Sequence, residues 1–189
     1  MLHVLKAKKK GGIDVMLLSF LVLFGVIFIL MFYLYRIAIV QGVLSIKDGC
    51  DFSNLATYKE IDKVELGESN KIVFNENDTE RVLKVFKEYL SKNLNLDDNL
   101  NPLPSNKVIT EQIKVKKMII YSLENGITKI YTYNDGGVFE KQEKTGVVLT
   151  PNGKNVNATS VYTEVQFSIE LMFNQTYTDE IKSYTDITN

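Results

Sequence analysis

Side chains able to perform nucleophilic chemistry are scarce in this sequence. It contains one histidine, His3, and one cysteine, Cys50. A serine or cysteine nucleophile needs a base beside it to take its proton, and His3 precedes the long apolar run that separates it from Cys50. The sequence also lacks Ser-x-x-Lys, Cys-x-x-Cys, His-Glu-x-x-His and Gly-rich phosphate-loop motifs. These patterns predict a protein that is not an enzyme and has no catalytic residues, cofactor or metal.

Acidic residues provide one incomplete metal pattern. Asp97, Asn99 and Asn101 have the alternate spacing that opens a calcium-binding loop. Pro102 stands where that loop requires glycine, and Val108 stands where it requires a bidentate glutamate. We therefore expect a solvated loop here. Paired carboxylates such as Asp97 and Asp98 could also perform acid–base chemistry. An anchored hydrolase that uses them is a minor alternative.

Cys50 has no second cysteine with which to form an internal disulfide. Lys47, Asp48 and Gly49 precede it, and this is not the apolar and small sequence of a lipoprotein signal. An intermolecular disulfide is one alternative. We favour a half-buried Cys50 that acts as a small apolar residue.

Four tyrosines in the second half of the chain allow two interpretations. They could form an exposed face that stacks on a sugar or a protein partner, or they could pack across strands, which we favour. These residues are Tyr131, Tyr133, Tyr162 and Tyr177.

A run of 21 uncharged residues begins at Val15 and ends at Tyr35. An α-helix needs about 20 residues to cross the hydrocarbon core of a bilayer. A cleavable signal would have a shorter apolar region followed by a small-x-small cleavage site, which is missing here. The run therefore predicts a retained transmembrane helix.

Basic residues predict the orientation of this helix. Four lysines lie in residues 6–10, whereas only Arg36 and Lys47 follow closely after the span. The positive-inside rule then places the N-terminus in the cytoplasm and the C-terminal part outside. The abundance of Lys and Asn over Arg suggests an AT-rich genome, such as that of a low-GC Gram-positive bacterium. We expect a single-pass protein of the plasma membrane.

The chain beyond the span has no basic field. Five of the 22 basic residues and one of the 23 acidic residues precede residue 43, so the remainder carries a formal charge of about −5. This charge argues against nucleic acid as a partner. We divide the chain into a basic leader (residues 1–14), the span (15–35), a helical stalk (36–66) and an extracellular α+β domain (67–189).

Periodicity predicts the elements of that domain. The stalk continues the membrane helix, with an interruption near Gly49, and a capping box from Asn77 to Glu80 opens an amphipathic helix over residues 78–93. Short strands are expected at residues 71–74 and 147–149. A hairpin turns at Asn125-Gly126, residues 139–144 pair weakly or loop out, and alternation from Val161 to Phe173 gives a strand with one buried and one wet face. From Asn174 onward we expect a frayed strand or tail.

The fold class is thus α+β: an N-terminal transmembrane helix that extends outward, and a second amphipathic helix packed on an antiparallel β-meander in a pilin-like roll.

The N-terminal sequence KKKGGIDVMLLSF, with its basic leader, glycines and long apolar helix, resembles a type IV prepilin-like protein. Together with Ser53-Asn54-Leu55-Ala56, it looks most like the TadE/TadF-type minor pseudopilins of tight-adherence (Flp) pilus systems, in their Gram-positive form. The resemblance covers about the first sixty residues. It implies leader processing after Gly11 or Gly12. The family places a glutamate five residues after the cleaved glycine, and here Met16 and Leu17 occupy those positions.

The resemblance further implies a non-enzymatic structural or assembly subunit of a pilus or secretion apparatus. Its partners would be the bilayer and other pilin-like or secretion-platform subunits. Ser19 and Gly25 are small positions at which another membrane helix could approach closely. The alternative is a single-pass anchored extracellular binding or sensor domain unrelated to pili.

Overall fold

The computed structural model describes residues 3–171 and 174–187. The chain divides into two compact units, Met1–Gly42 and Val43–Asn189. Its class is α+β, with a long N-terminal apolar helix and a five-stranded antiparallel sheet. Phe173, the last residue of the predicted alternating strand, lies outside the described residues.

Helix α1 (His3–Ala56) is a single α-helix of 54 residues. The predicted interruption near Gly49 is wrong, because the helix continues through this residue. Leu94 packs where a side chain of residue 49 would lie, and the Ser53 Oγ donates a hydrogen bond to the Gly49 carbonyl within the helix. Glycine is therefore used here for close packing rather than to end the helix.

Helix α2 (Lys63–Ser69) is a separate helix that begins inside the predicted stalk (residues 36–66) and extends three residues beyond it. The Asp62 carboxylate accepts hydrogen bonds from the N–H groups of Val64 and Glu65, which caps its first turn. Its end is marked by Asn70, whose φ of 54° lies in the left-handed region. The helix expected over residues 78–93 is therefore the third in the chain, not the second.

Helix α3 (Thr79–Leu94) lies within one residue of its predicted bounds, but the predicted capping box does not form. A 3₁₀ turn, Glu76–Asp78, precedes the helix, and the Asn75 side chain accepts from the N–H of Asn77. The buried residues of α3 include Val82, Phe86 and Leu90.

The strands are β1 (Lys114–Glu124), β2 (Ile127–Asn134), β3 (Glu140–Thr145), β4 (Ser160–Leu171) and β5 (Gln175–Asp186). Their order in the sheet is β3-β2-β1-β4-β5, and every neighbouring pair is antiparallel. Asn125 and Gly126 form the β1–β2 turn, both with positive φ as a type I′ turn requires. The hairpin prediction is confirmed.

Three strand predictions need correction. Residues 71–74 and 147–149 contribute only isolated bridges, Ile61 with Phe74 and Leu149 with Asn155. The segment from Asn174, expected to be a frayed strand or a tail, forms the twelve-residue strand β5 and is not frayed, because it pairs with β4 along its whole length. Pairing with β4 satisfies the backbone N–H and C=O groups of this segment. Its polar sequence gave no indication of this pairing.

Both faces of the sheet are covered over part of its area. On one face, Met118, Ile120 and Val161 are fully buried. On the other face, Val148 and Val156 pack with a cluster formed by Ile119, Tyr121, Ile130 and Tyr162. The expectation that the Tyr162 face of β4 is wet is therefore wrong at Tyr162, whose exposure is 0%.

Candidate functional site

One helix of the described chain is long and apolar enough to cross a membrane. Its apolar segment is wholly exposed, from Val15 to Leu34, and its most apolar window has no buried residues. Exposed leucines, phenylalanines and isoleucines on every side cost free energy in water, at about 25 cal/mol per Å² of apolar surface. Such a helix is compatible with single-pass anchoring in a bilayer.

A row of four phenylalanines runs along one side of this apolar segment. Their successive ring centroids lie 6.4, 6.2 and 5.6 Å apart, and the residues are Phe20, Phe24, Phe28 and Phe32. Spacing by four residues places them on neighbouring turns of α1. The row therefore offers a continuous aromatic surface for another apolar helix or for lipid.

The two small positions in the span differ from each other. The Ser19 Oγ donates a 2.8 Å hydrogen bond to the carbonyl of Val15 and is satisfied within its own helix. Gly25 has open space where a Cβ would stand. Gly25 is thus the position that permits the closest approach of a second helix.

The end of α1, from Val43 to Ala56, and the 3₁₀ turn after it contact the sheet through buried polar groups. The Asn54 Nδ2 donates to the Ser183 Oγ at 2.7 Å, and the Asn54 Oδ1 accepts from the Thr163 Oγ1 at 3.3 Å. The Ser183 Oγ donates to the Asp51 carboxylate at 2.5 Å. We call Asp51, Asn54, Thr163 and Ser183 the polar clamp. It joins α1 to the paired strands β4 and β5.

Two further contacts extend the attachment of α1. The Tyr58 hydroxyl donates to the carbonyl of Thr185 at 2.8 Å. The Asn93 side chain on α3 donates to the Ser53 Oγ at 3.2 Å. The sequence did not reveal these contacts, because their partners lie 40 and 127 positions apart in the chain and leave no local pattern.

In the calcium-like loop, residues 97–101, the Asp97 carboxylate is bonded to other groups of the same loop. The Asp97 carboxylate accepts hydrogen bonds from the N–H groups of Asn99 and Asn101 and from the Asn101 side-chain amide, at 2.8–3.2 Å. These donors stabilise the charged carboxylate and lower the pKa of Asp97. Among residues 3–171 and 174–187, no three His, Cys, Asp or Glu side chains lie close enough together to hold a metal ion.

The four tyrosines do not form one exposed face. Tyr131, Tyr133 and Tyr162 are buried, whereas Tyr177 is 42% exposed. The Tyr133 ring lies 5.7 Å from that of Phe139, and Tyr162 belongs to the cluster on the opposite face of the sheet. Packing within the sheet accounts for the three buried side chains, as the favoured interpretation predicted.

Cys50 is fully buried on α1, not half-buried as predicted. A thiol at 0% exposure cannot reach a second chain without local unfolding. The folded structure therefore argues against an intermolecular disulfide at this position.

The unit Val43–Asn189 has two polar clefts beside α3. The larger, about 570 Å³, is lined by Glu80, Lys84, Lys87, Glu88 and Asp98, among others. The second, about 430 Å³, shares Lys87 and Asp98 and reaches Lys114 and Asp135. Both clefts mix acidic and basic side chains.

Gly12 lies within α1, and a Cβ added to it would meet nothing within 4 Å. The four leader lysines and Gly11 fall in the part of the helix whose side chains lie outside the description. Comparisons of the chain with protein-family models, curated proteins and solved structures find no match.

Proposed function

We propose that the chain is a non-enzymatic, membrane-anchored subunit that assembles with other membrane proteins in a pilus or secretion apparatus. The observation that carries this proposal is the form of α1, which is apolar and exposed over residues 15–34 and continues as one helix to Ala56. In the outer unit, the end of the same helix is bonded to the sheet.

The resemblance to TadE/TadF-type minor pseudopilins supports this assignment through the leader, Gly11, Gly12 and the apolar helix. Under this proposal the outer unit corresponds to the pilin-like roll, and α3 is the amphipathic helix that covers the sheet. The N-terminus lies in the cytoplasm and the C-terminal domain outside, in a low-GC Gram-positive bacterium. The partners are the bilayer and other pilin-like or secretion-platform subunits, and nucleic acid is not a partner.

Assembly through α1 requires that its phenylalanine row or Gly25 contacts another protein helix. Single cysteines placed along residues 20–32 of a Cys50→Ala chain should crosslink in native cells to other membrane proteins, with a period close to that of an α-helix. A cysteine at Val138, which is 75% exposed in the outer unit, serves as the control for random collision. Recovery of monomer alone from every position would overturn the proposal.

The anchored binding domain is the second candidate, and the polar clefts beside α3 favour it. Their mixed charges suit a zwitterionic or peptide ligand rather than a purely anionic one. This candidate predicts that substitution of Lys87 or Asp98 weakens ligand binding, while the chain remains monomeric in the membrane. The crosslinking experiment separates the two candidates directly.

A further inference from the structure

The sequence contains two Asn-Gly pairs, Asn125-Gly126 and Asn152-Gly153, and the structure holds them very differently. In an Asn-Gly pair, the glycine nitrogen can attack the carbonyl carbon of the asparagine side chain. Glycine favours this reaction because no Cβ hinders the approach. The contacts of the two pairs therefore determine which asparagine is chemically stable.

Asn125 and Gly126 form the exposed tip of the β1–β2 hairpin. Within the described residues, neither the Asn125 side chain nor the N–H of Gly126 makes a hydrogen bond. The strands are secured beneath the tip by the pairing of Glu124 with Ile127. The tip can thus rearrange without loss of a hydrogen bond of its own.

Asn152 and Gly153 are held by Thr150, which is 4% exposed. The N–H of Gly153 donates to the carbonyl of Thr150 at 2.9 Å, so the attacking nitrogen is already engaged. The Thr150 Oγ1 donates to the Asn152 Oδ1, which fixes the side chain that would be attacked. The N–H of Lys154 donates to the same Oγ1 at 3.0 Å and closes the loop.

We propose that Asn125 is a site of spontaneous deamidation and that Thr150 protects Asn152 from the same reaction. The Gly126 nitrogen forms a bond to the Asn125 side-chain carbonyl carbon, and the C–N bond of the amide breaks. Ammonia leaves with the proton from the Gly126 N–H, and a cyclic imide remains. Water then opens the ring at either carbonyl, giving aspartate or isoaspartate.

The modification has a defined electrostatic consequence. It adds one negative charge next to Glu124, whose carboxylate lies 2.7 Å from the Lys129 ammonium across the hairpin. The isoaspartate product also adds a backbone atom at a turn that requires two residues of positive φ. Aged protein is therefore more acidic, and its hairpin tip is altered.

Digestion after lysine gives a paired measurement within one sample. Asn125 is the only asparagine in the peptide of residues 118–129, and Asn152 is the only one in the peptide of residues 145–154. Full-length protein is incubated folded in detergent at mildly alkaline pH, and each peptide is followed by its mass increase and by isoaspartate detection. We expect Asn125 to convert roughly tenfold or more faster than Asn152, because reaction at Asn152 must break two hydrogen bonds.

The unfolded chain is the control, since both pairs lose their contacts in urea and should then convert at similar rates. A Thr150→Val variant should accelerate conversion at Asn152 in the folded protein, and Thr150→Ser, which keeps the hydroxyl, should not. Conversion at Asn152 as fast as at Asn125 in the folded wild-type chain would overturn the proposal. So would an equally large difference between the two sites in urea. The outcome is independent of the proposed function.

Discussion

Asn54 is the residue on which the contact between α1 and the sheet most depends. Its side chain is 0% exposed, donates to Ser183 and accepts from Thr163. An Asn54→Ala change leaves both hydroxyls without this partner, and burial of an unpaired polar group costs about 1–3 kcal/mol. We expect the free energy of unfolding to fall by that amount in urea titrations of detergent-solubilised protein.

Asn99 provides the matched control for this substitution. It is exposed, and its hydrogen bonds to other described residues involve only its backbone N–H and carbonyl. An Asn99→Ala change should alter the stability by less than about 0.5 kcal/mol. Equal effects of the two substitutions would show that the polar clamp adds nothing to stability.

Tyr121 links stability to alkaline pH. Burial, and to a lesser degree Tyr184, raises the pKa of Tyr121 to about 12, whereas a free tyrosine has a pKa of about 10. Below pH ~10 the phenol is neutral in both states and its contribution is complete. Above it, the unfolded chain loses the proton first, so the free energy of unfolding falls as the pH rises from about 10 to 12.

A Tyr121→Phe variant lacks this ionisation and should lose less stability over the same pH interval. The Tyr121 hydroxyl has no hydrogen bond within the described residues, so the two proteins should be similarly stable near neutral pH. The measurement is the free energy of unfolding as a function of pH for both proteins. If the free energy of unfolding falls equally with pH in both proteins, ionisation of Tyr121 does not cause the loss of stability.

At the scale of elements, α1 and α3 meet at Gly49. A Cβ at this position would lie 2.5 Å from the Leu94 Cδ2 and 3.0 Å from its Cγ. A Gly49→Ala change improves helix propensity by roughly 1 kcal/mol, but the overlap forces a buried leucine to move, which costs about 1–3 kcal/mol. We expect net destabilisation, measured by thermal unfolding.

Gly67 in α2 is the control position at which an alanine changes helix propensity but not packing. A Cβ at this position meets nothing within 4 Å. Gly67→Ala should therefore raise the melting temperature slightly, while Gly49→Ala lowers it. If both substitutions stabilise the protein, close packing at Gly49 does not govern the contact of the two helices.

The end of α1 is stabilised by its contacts within the unit Val43–Asn189. Ile46, Asn54 and Tyr58 are buried there, and the unit begins at Val43. A shortened chain that starts at Val43 should unfold cooperatively, whereas one that starts at Gly67 exposes the sheet that α1 covers and should not. Circular dichroism during heating measures the difference, and equal cooperativity in the two chains would refute this account.

Sequence patterns predicted the elements whose local signals are strong. Asn125-Gly126 fixed the hairpin turn, and the apolar spacing in α3 located that helix to within one residue. β5 was expected only as a frayed strand or a tail, because six of its residues, from Gln175 to Glu180, are exposed and carry no alternating apolar pattern. The polar clamp was missed because its contacts join residues more than a hundred positions apart, and local periodicity does not contain such information.

At the scale of the whole molecule, the apolar helix was predictable because bilayer thickness sets a length that the sequence shows directly. The packing on the faces of the sheet was less predictable. The burial of Tyr162 depends on residues 146–157 covering a face that the alternation of β4 marked as wet. Coverage of this kind is decided by loops, whose paths leave little trace in a single sequence.

We propose that one span anchors the chain and that its sheet domain lies outside the cell. The most direct test labels single cysteines in intact cells with a membrane-impermeant maleimide, in a Cys50→Ala chain. We expect a cysteine in place of Val138 to be labelled in intact cells and a cysteine in place of His3 to be labelled only after lysis. Labelling of His3 but not Val138, or of neither before lysis, would contradict it.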